Sequence, residues 1–419
     1  NPVGNATMAT EKPVEKVSGE EDAEAKQKNR IAKNIAMASG FMMMAQTMCV
    51  PTRAPMILAI KKGDAAATAR TMGLMSMCAA LVELVLNPVL GKLSDEYGRR
   101  PFMMLAPAVN AFLHLCVSAF PTSLAMQFVD RMISGMMIFG FAAPAQAAMA
   151  DLFASDPAKL GIMSSQAAAW FGVGCTVGPF LGAKMGGARS FAASGLAFLG
   201  TVLFVSTLTR ETLTAEARKK FNYADINPVA FLKLFKDRTT SLLTCTMTLQ
   251  SAGDYVNVYD INNLFMIKVL GYGQQQIGKF AMTVGLTQIA GGILSGRLIK
   301  ATSLKFSTAF SNVMWILGMA MMGTARNTQQ AFLALAIWTF GHQRATPVSS
   351  YLQKYAAQHG LGRAEIVGAQ GNLAAYFKVM IPLMYSNIFA WATSNGRNIP
   401  GLPYFTICAI TALSQLTFQ

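Results

Sequence analysis

The sequence predicts an all-α membrane protein, with twelve transmembrane helices arranged in two six-helix bundles. Three observations carry this expectation. Of 419 residues, 53% are hydrophobic and only 13% charged, about half the charge that a soluble domain uses to cover its surface. The apolar residues fall in blocks, many reaching about 20 residues, the length of a helix that crosses a bilayer. One long basic segment, 209–239, divides those blocks six and six. In lipid every backbone polar group must be satisfied within its own segment, which selects helices. The alternating segments of about ten residues that build a transmembrane barrel are absent.

Taken in order, residues 1–30 read as a polar cytoplasmic tail, disordered or loosely helical, without the apolar core of a signal peptide. The spans follow at 33–58, 68–91, 101–121, 123–150, 158–184 and 188–208, then 239–267, 272–298, 304–324, 328–353, 364–392 and 399–418. The N-terminal bundle is therefore 31–208, the cytoplasmic linker 209–238 and the C-terminal bundle 239–419. Pro51 and Pro55 must kink or end the first span.

The net charge is +15. With the N-terminus in the cytoplasm, the inward tail and loops hold 22 of the 35 Lys and Arg residues, the bias of the positive-inside rule. Nine, including Arg53, fall in outward loops or adjoining span ends. Loops account for the charge, so nucleic acid is not an expected partner. The six cysteines form no CxxC pair, and His114, His342 and His359 have no metal-ligand spacing. No metal, cofactor or catalytic constellation is expected.

The most informative short stretch is GKLSDEYGRRP, residues 91–101, between spans two and three. Gly91 and Gly98 permit a sharp turn and the close approach of a neighbouring helix. Asp95 is placed to bind an arginine or to face the positive N-terminal end of a helix from the other bundle. Arg99 and Arg100 anchor the inner surface. A solvated loop explains the arginines but not an acid with glycines at fixed offsets.

This stretch resembles the loop 2–3 signature of the major facilitator superfamily, G-x-L-S-D-x-x-G-R-R-P. Arg131 and Gly135 in DRMISGMMIFG, beside Asp130, resemble the family's R-x-x-x-G motif in span four. GCTVGPFLGA, with Gly174, Gly178, Pro179 and Gly182, is similar to the span-five motif of the drug-antiporter branch, with Ala183 in place of its last glycine. INPVAFLKLFKDR and LGYGQQQIGKF resemble the tetracycline-resistance-like branch. The resemblance implies the twelve-helix fold, alternating access and, for span five, a bent, tight seam that moves. Two features depart from it: loop 8–9 has no acid where a second copy of the first motif would put one, and the first span has no carboxylate. Proton coupling of the familiar kind is therefore an open question here.

Charges inside a membrane are costly and face a cavity or a partner. Gln250, Asp254 and Asn257 follow i, i+4, i+7 spacing, so on one continuous helix they share a face. Together with Gln46, His342, Gln343, Arg344, Tyr376 and Lys378 they predict a polar cleft between the bundles. Glu83 and Lys378 are expected to meet there as an ion pair. The expected function is secondary transport of a small organic solute, anionic or zwitterionic, with protons as the candidate coupling ion and membrane lipid as the surroundings. The alternative is a transporter-derived structural subunit, with other membrane subunits as partners and no transport activity.

Overall fold

The computed structural model describes residues 14–153, 156–218, 220, 230–253, 256–358, 363–394 and 396–418. Through them run α1 Val14–Thr47, α2 Val50–Ile60, α3 Ala65–Tyr97, α4 Arg99–Ala119, α5 Leu124–Leu152, α6 Pro157–Met185 and α7 Gly187–Leu208. The second half holds α8 Arg238–Ser251, α9 Val256–Leu270, α10 Gln274–Ala301, α11 Leu304–Thr324, α12 Thr328–Trp338, α13 Ala345–Gln358, α14 Arg363–Thr393 and α15 Leu402–Phe418. Spans one, seven and ten are each a pair of helices (α1 with α2, α8 with α9, α12 with α13), so these helices make twelve spans. Seven helices are individually long and apolar enough to cross a membrane. The chain is a multi-pass integral membrane protein.

The broken spans have local causes. Pro51 sits in the first turn of α2, where its missing N–H costs nothing. In span ten a short 3₁₀ turn, Thr339–Gly341, separates α12 from α13. Elsewhere side-chain caps set the helix starts. Asp64, Ser123, Asp156, Asp237, Ser303 and Asn327 each accept a hydrogen bond from a first-turn N–H of α3, α5, α6, α8, α11 and α12 respectively. Such caps contribute about 1 kcal/mol each. The α1 helix begins at Val14, so part of residues 1–30 is helical.

Two apolar cores position the site. One lies within the N-terminal bundle, around Ile35, Met42, Met103, Phe141, Met149 and Phe198. The other joins the bundles: Ala54 and Ile57 of α2 and Ala69, Met72 and Met75 of α3 pack in one cluster with Phe265, Phe280, Trp315 and Tyr385. This shared core lies toward the face opposite the 209–237 linker, here called the far face. Toward the linker face the seam loosens. There Ile162 of α6 is 57% exposed and Ile293 of α10 56% exposed. A Cβ added at Gly91, Gly161, Gly296 or Gly371 would meet nothing within 4 Å. A hollow lined by Gly161, Ser165 and Gln166 opens on the same half of α6. The bundles pack in one core on the far face, and the positions named on the linker face are open.

Candidate functional site: the interface between the bundles

The 91–101 stretch is more helical than the sequence predicts. The α3 helix continues to Tyr97 and α4 starts at Arg99, so the turn is Gly98 alone. Its φ of +105° is a region that only glycine enters freely. Asp95 pairs with Arg99 one turn on, within its own bundle, and not with a helix N-terminus of the other. Arg99 also donates to Ser94 Oγ at 3.0 Å and reaches Asp151 Oδ2 of α5 at 3.4 Å. Arg100 donates to the Ser206 carbonyl at 2.5 Å. Gly91 is a helical residue with open space beside it, so the close approach expected there does not occur in this form.

Sequence reasoning missed Glu211, the residue that completes this corner. Its carboxylate accepts the backbone N–H groups of Arg99, Arg100, Thr212 and Leu213, each at 3.0 Å. It thus caps α4 from the start of the linker. A side chain at position 98 would strike Glu211 Oε2, 2.5 Å from the added Cβ. Partial burial raises the Glu211 pKa, but the four backbone donors outweigh it and hold the carboxyl below its ordinary 4.5. A depressed folded value means that the stabilisation is fully present above about pH 4.5 and is lost as pH falls through the folded value. Glu211→Gln, which turns one acceptor into a donor aimed at these N–H groups, should lower stability at neutral pH by on the order of 1 kcal/mol, the size of a helix cap. In melting curves taken against pH, the gap to the wild type should close in acid. A gap that persists unchanged below pH 4 would remove the carboxylate from the explanation.

Polar contacts between described residues cross from one bundle to the other. Lys378 Nζ of α14 lies 3.3 Å from Glu83 Oε2 of α3, with the two side chains 44% and 17% exposed. Gly135 of α5 leaves room for this carboxylate, since a Cβ there would lie 2.6 Å from Glu83 Oε1. Nearer the far face, Arg131 Nη2 of α5 donates to Asp260 Oδ2 of α9 at 2.9 Å and to Ser76 Oγ at 3.2 Å. Asn263 of α9 donates to the Val50 carbonyl at 3.1 Å, at the start of α2.

Behind Arg131 lies a buried charged cluster. Arg53, assigned from sequence to an outward span end, is 5% exposed. Its Nη2 meets Asp130 Oδ2 at 2.7 Å. Asp130 Oδ1 is 3.3 Å from His114 Nε2 of α4, both side chains fully buried. The signal available in sequence was an arginine between two prolines in an apolar span, and an aspartate and a histidine inside spans four and three.

Span seven corrects the shared-face argument. The helix stops at Ser251 and resumes at Val256, so Gln250, Asp254 and Asn257 do not lie on one continuous helix. Asp254 and the Asn257 side chain lie outside the described residues. Gln250 is fully buried and donates to Asn312 Oδ1 at 3.0 Å; Asn312 in turn donates to Gln415 at 2.7 Å. Arg344 is also fully buried in this form. It stacks on Trp315 at 3.7 Å and donates to the Gln250 carbonyl at 2.5 Å, bracing the break in span seven against that in span ten. His342 accepts from Trp338 Nε1 at 2.6 Å. Gln343 accepts from Thr346 at 2.9 Å, and Tyr376 packs on Phe231 with ring centroids 5.1 Å apart. Gln46 accepts from Asn110 at 3.4 Å within the N-terminal bundle. Of the residues expected in the cleft, Lys378 is held to a group of the opposite bundle.

The small residues of α6 make two seams at once. Added Cβ atoms at Gly174, Gly178 and Gly182 would overlap the carbonyls of Gly40 and Met44 on α1 and of Met48 just beyond its end. Thr47 Oγ1 donates to the Gly174 carbonyl at 3.1 Å. On the other side, Gly278 of α10 sits against Ala183 and the Pro179 carbonyl. Ala183, which departs from the glycine of the motif, is thus accommodated by a glycine on the facing helix.

The family model of the Major Facilitator Superfamily matches residues 35–373. The chain is 25% identical over 336 residues to the class H tetracycline resistance protein of Pasteurella multocida, covering 77% of this chain and 80% of that one. It is also 25% identical over 355 residues to the class C tetracycline resistance protein of Escherichia coli, covering 80% and 85%. Among solved structures, the nucleoside transporter NupG superposes with a TM-score of 0.71 at 12% identity, over 93% of this chain and 98% of that one. The human organic anion transporter MFSD10 (TETRAN) superposes with a TM-score of 0.66 at 19% identity, over 94% and 99%. With the loop 2–3 corner, the span-five seam and the two-bundle architecture in place, the chain belongs to the major facilitator superfamily.

Proposed function

We propose that this chain is a secondary transporter that moves a small anionic or zwitterionic organic solute by alternating access, coupled to protons. The observation that carries the reading is the placement of the ion pairs between the bundles. Arg131–Asp260 lies nearer the far face, where the bundles share one core, and Glu83–Lys378 lies nearer the linker face. Pairs made between two bodies break when those bodies rock apart, so each conformational form exchanges one set of charges for another. Lys378, 44% exposed on the seam, offers a cation to an entering carboxylate or phosphate once it leaves Glu83. Relatives named as tetracycline resistance proteins, an organic anion transporter and a proton symporter support the class.

The test is flux in proteoliposomes across a panel of organic anions, zwitterions and cations, with and without a pH gradient. Transport of an anion or zwitterion that depends on the gradient is expected. A folded protein that moves no member of the panel overturns the reading; co-purification of a stoichiometric membrane partner in that case favours the structural subunit. A double-mutant cycle on Glu83→Gln and Lys378→Met tests the pair. With Lys378 this exposed, the coupling should be modest, about 1 kcal/mol or less. Strictly additive losses in stability and flux would leave Lys378 acting alone.

A further inference from the structure

The cluster behind Arg131 has a donor count that does not close without one more proton. Ser194 Oγ of α7 lies 2.6 Å from the Ala45 carbonyl and 2.7 Å from His114 Nδ1. A carbonyl has no proton to give, so the serine O–H points at Ala45, and the short contact to His114 requires Nδ1 to carry the hydrogen. Cys49 Sγ, 3.5 Å from the same nitrogen, does not change this, because a bare Nδ1 would face the serine oxygen lone pair against lone pair. A neutral imidazole with its hydrogen on Nδ1 has a bare Nε2. That Nε2 lies 3.3 Å from Asp130 Oδ1, in a site where neither side chain is exposed. Neither atom has a hydrogen-bond partner among the described residues, the other of the two included. Two acceptors held this close in a buried site are costly, and a proton on either one turns the repulsion into attraction.

We infer that His114 Nε2 and Asp130 Oδ1 form a binding site for a single exchangeable proton, held by Arg53 on one side and Ser194 on the other. The bound proton sits either on the imidazole, as imidazolium beside carboxylate, or on the carboxyl, beside Nε2. The charged and titratable groups facing the site are Arg53 from α2, Cys49 from the α1–α2 break and, through Arg53, Asp260 from α9 in the other bundle. The α7 helix presents Ser194 and the uncharged rings of Phe191 and Phe198. The cluster is tied to the bundle interface. Asp130 is the chain neighbour of Arg131, which holds Asp260, and α9 also holds α2 through Asn263 and Val50, three residues from Arg53. When the far face opens, α9 leaves both contacts and the cover over Arg53 goes with it, so the proton exchanges with the far side. This supplies a coupling site away from the first-span carboxylate that the chain lacks. As a coupling site it rests on the transporter reading; as a proton site it stands on the hydrogen-bond geometry alone.

The experiment uses the purified full-length protein in lipid nanodiscs, with no solute. Imidazole ¹⁵N spectra of histidine-labelled protein, with the His114 signal assigned by its loss in His114→Gln, read the proton on each nitrogen directly. Infrared difference spectra read a protonated carboxyl, assigned by its loss in Asp130→Asn. The expected result is His114 with both nitrogens protonated, or with Nδ1–H beside a protonated Asp130, giving up one proton per chain within about pH 5 to 8, where a histidine can switch. Asp130→Asn, whose amide can itself donate to Nε2, should abolish that step. A neutral Nε2–H tautomer, or a site that neither gains nor loses a proton across the range, overturns the inference. The measurement needs no flux, so an inactive protein in proteoliposomes would count against the transporter reading and leave this one standing on its spectra.

Discussion

Arg53→Met should destabilise the fold by about 3–5 kcal/mol, because it strands Asp130 as a buried charge. Arg53 Nη2 is 2.7 Å from Asp130 Oδ2, with side-chain exposures of 6% and 0%. The guanidinium also lies 5.3 Å from the centre of the Phe191 ring, so water is excluded on that side too. In the pair, each charge offsets the desolvation of the other; with methionine in place, a carboxylate in a membrane-embedded bundle keeps only the His114 contact. Asp130→Asn should cost less, since the amide still offers an oxygen to Arg53 and a donor to His114. The double variant should recover part of the Arg53→Met loss, because no ion is then left alone. Unfolding midpoints of the two single variants and the double variant in the same detergent check this. Strictly additive losses would show that the pair contributes no coupling, and the buried arginine would need another explanation.

This pair also shows where sequence reading reaches and where it stops. The multi-pass helical fold was legible because bilayer thickness sets a helix length that composition records directly. The α7 helix ends at Leu208 and α8 begins at Arg238. The Glu83–Lys378 pair was legible because two opposite charges in apolar spans need a partner. Arg53 was not, because a charge three residues past a helix break reads as a span end unless the break is known to lie inside the bundle. Gln250, Asp254 and Asn257 misled for the complementary reason. The i, i+4, i+7 rule holds only on an unbroken helix, and this one stops at Ser251. Arg344 was taken as a cleft cation because charge in a span suggests a cavity. In this form it is buried, stacked on Trp315 and donating to the Gln250 carbonyl. Glu211 had no sequence signal, since capping of α4 from more than 100 residues away is a property of the fold and not of local spacing.

Gly182→Ala should destabilise the N-terminal bundle by about 1–3 kcal/mol, the range for forcing extra atoms into a packed seam. The obstacle is backbone, not a side chain that can swing aside: the added Cβ would overlap the Met48 carbonyl just beyond the end of α1. Small residues are what allow transmembrane helices to approach this closely. Gly200→Ala on α7 is the control. A Cβ there meets nothing within 4 Å, so the intrinsic helical advantage of alanine over glycine should leave stability unchanged or raised. Gly278→Ala discriminates a seam inside one bundle from a seam between two. Its Cβ would overlap Ala183 Cβ and lie 2.9 Å from the Pro179 carbonyl, across the boundary between α10 and α6. Rigid bundles relieve such a clash by parting, whereas α1 and α6 within one bundle cannot. Gly278→Ala should therefore leave unfolding nearly unchanged and shift the population toward the form open on the far face. Spin labels on Lys62 and Arg326, one on the far end of each bundle, would report it as a lengthened distance in Gly278→Ala and an unchanged one in Gly182→Ala. If Gly278→Ala destabilises as much as Gly182→Ala without moving the label distance, the two bundles do not separate along the α6–α10 seam, and the rocking that alternating access requires must run elsewhere.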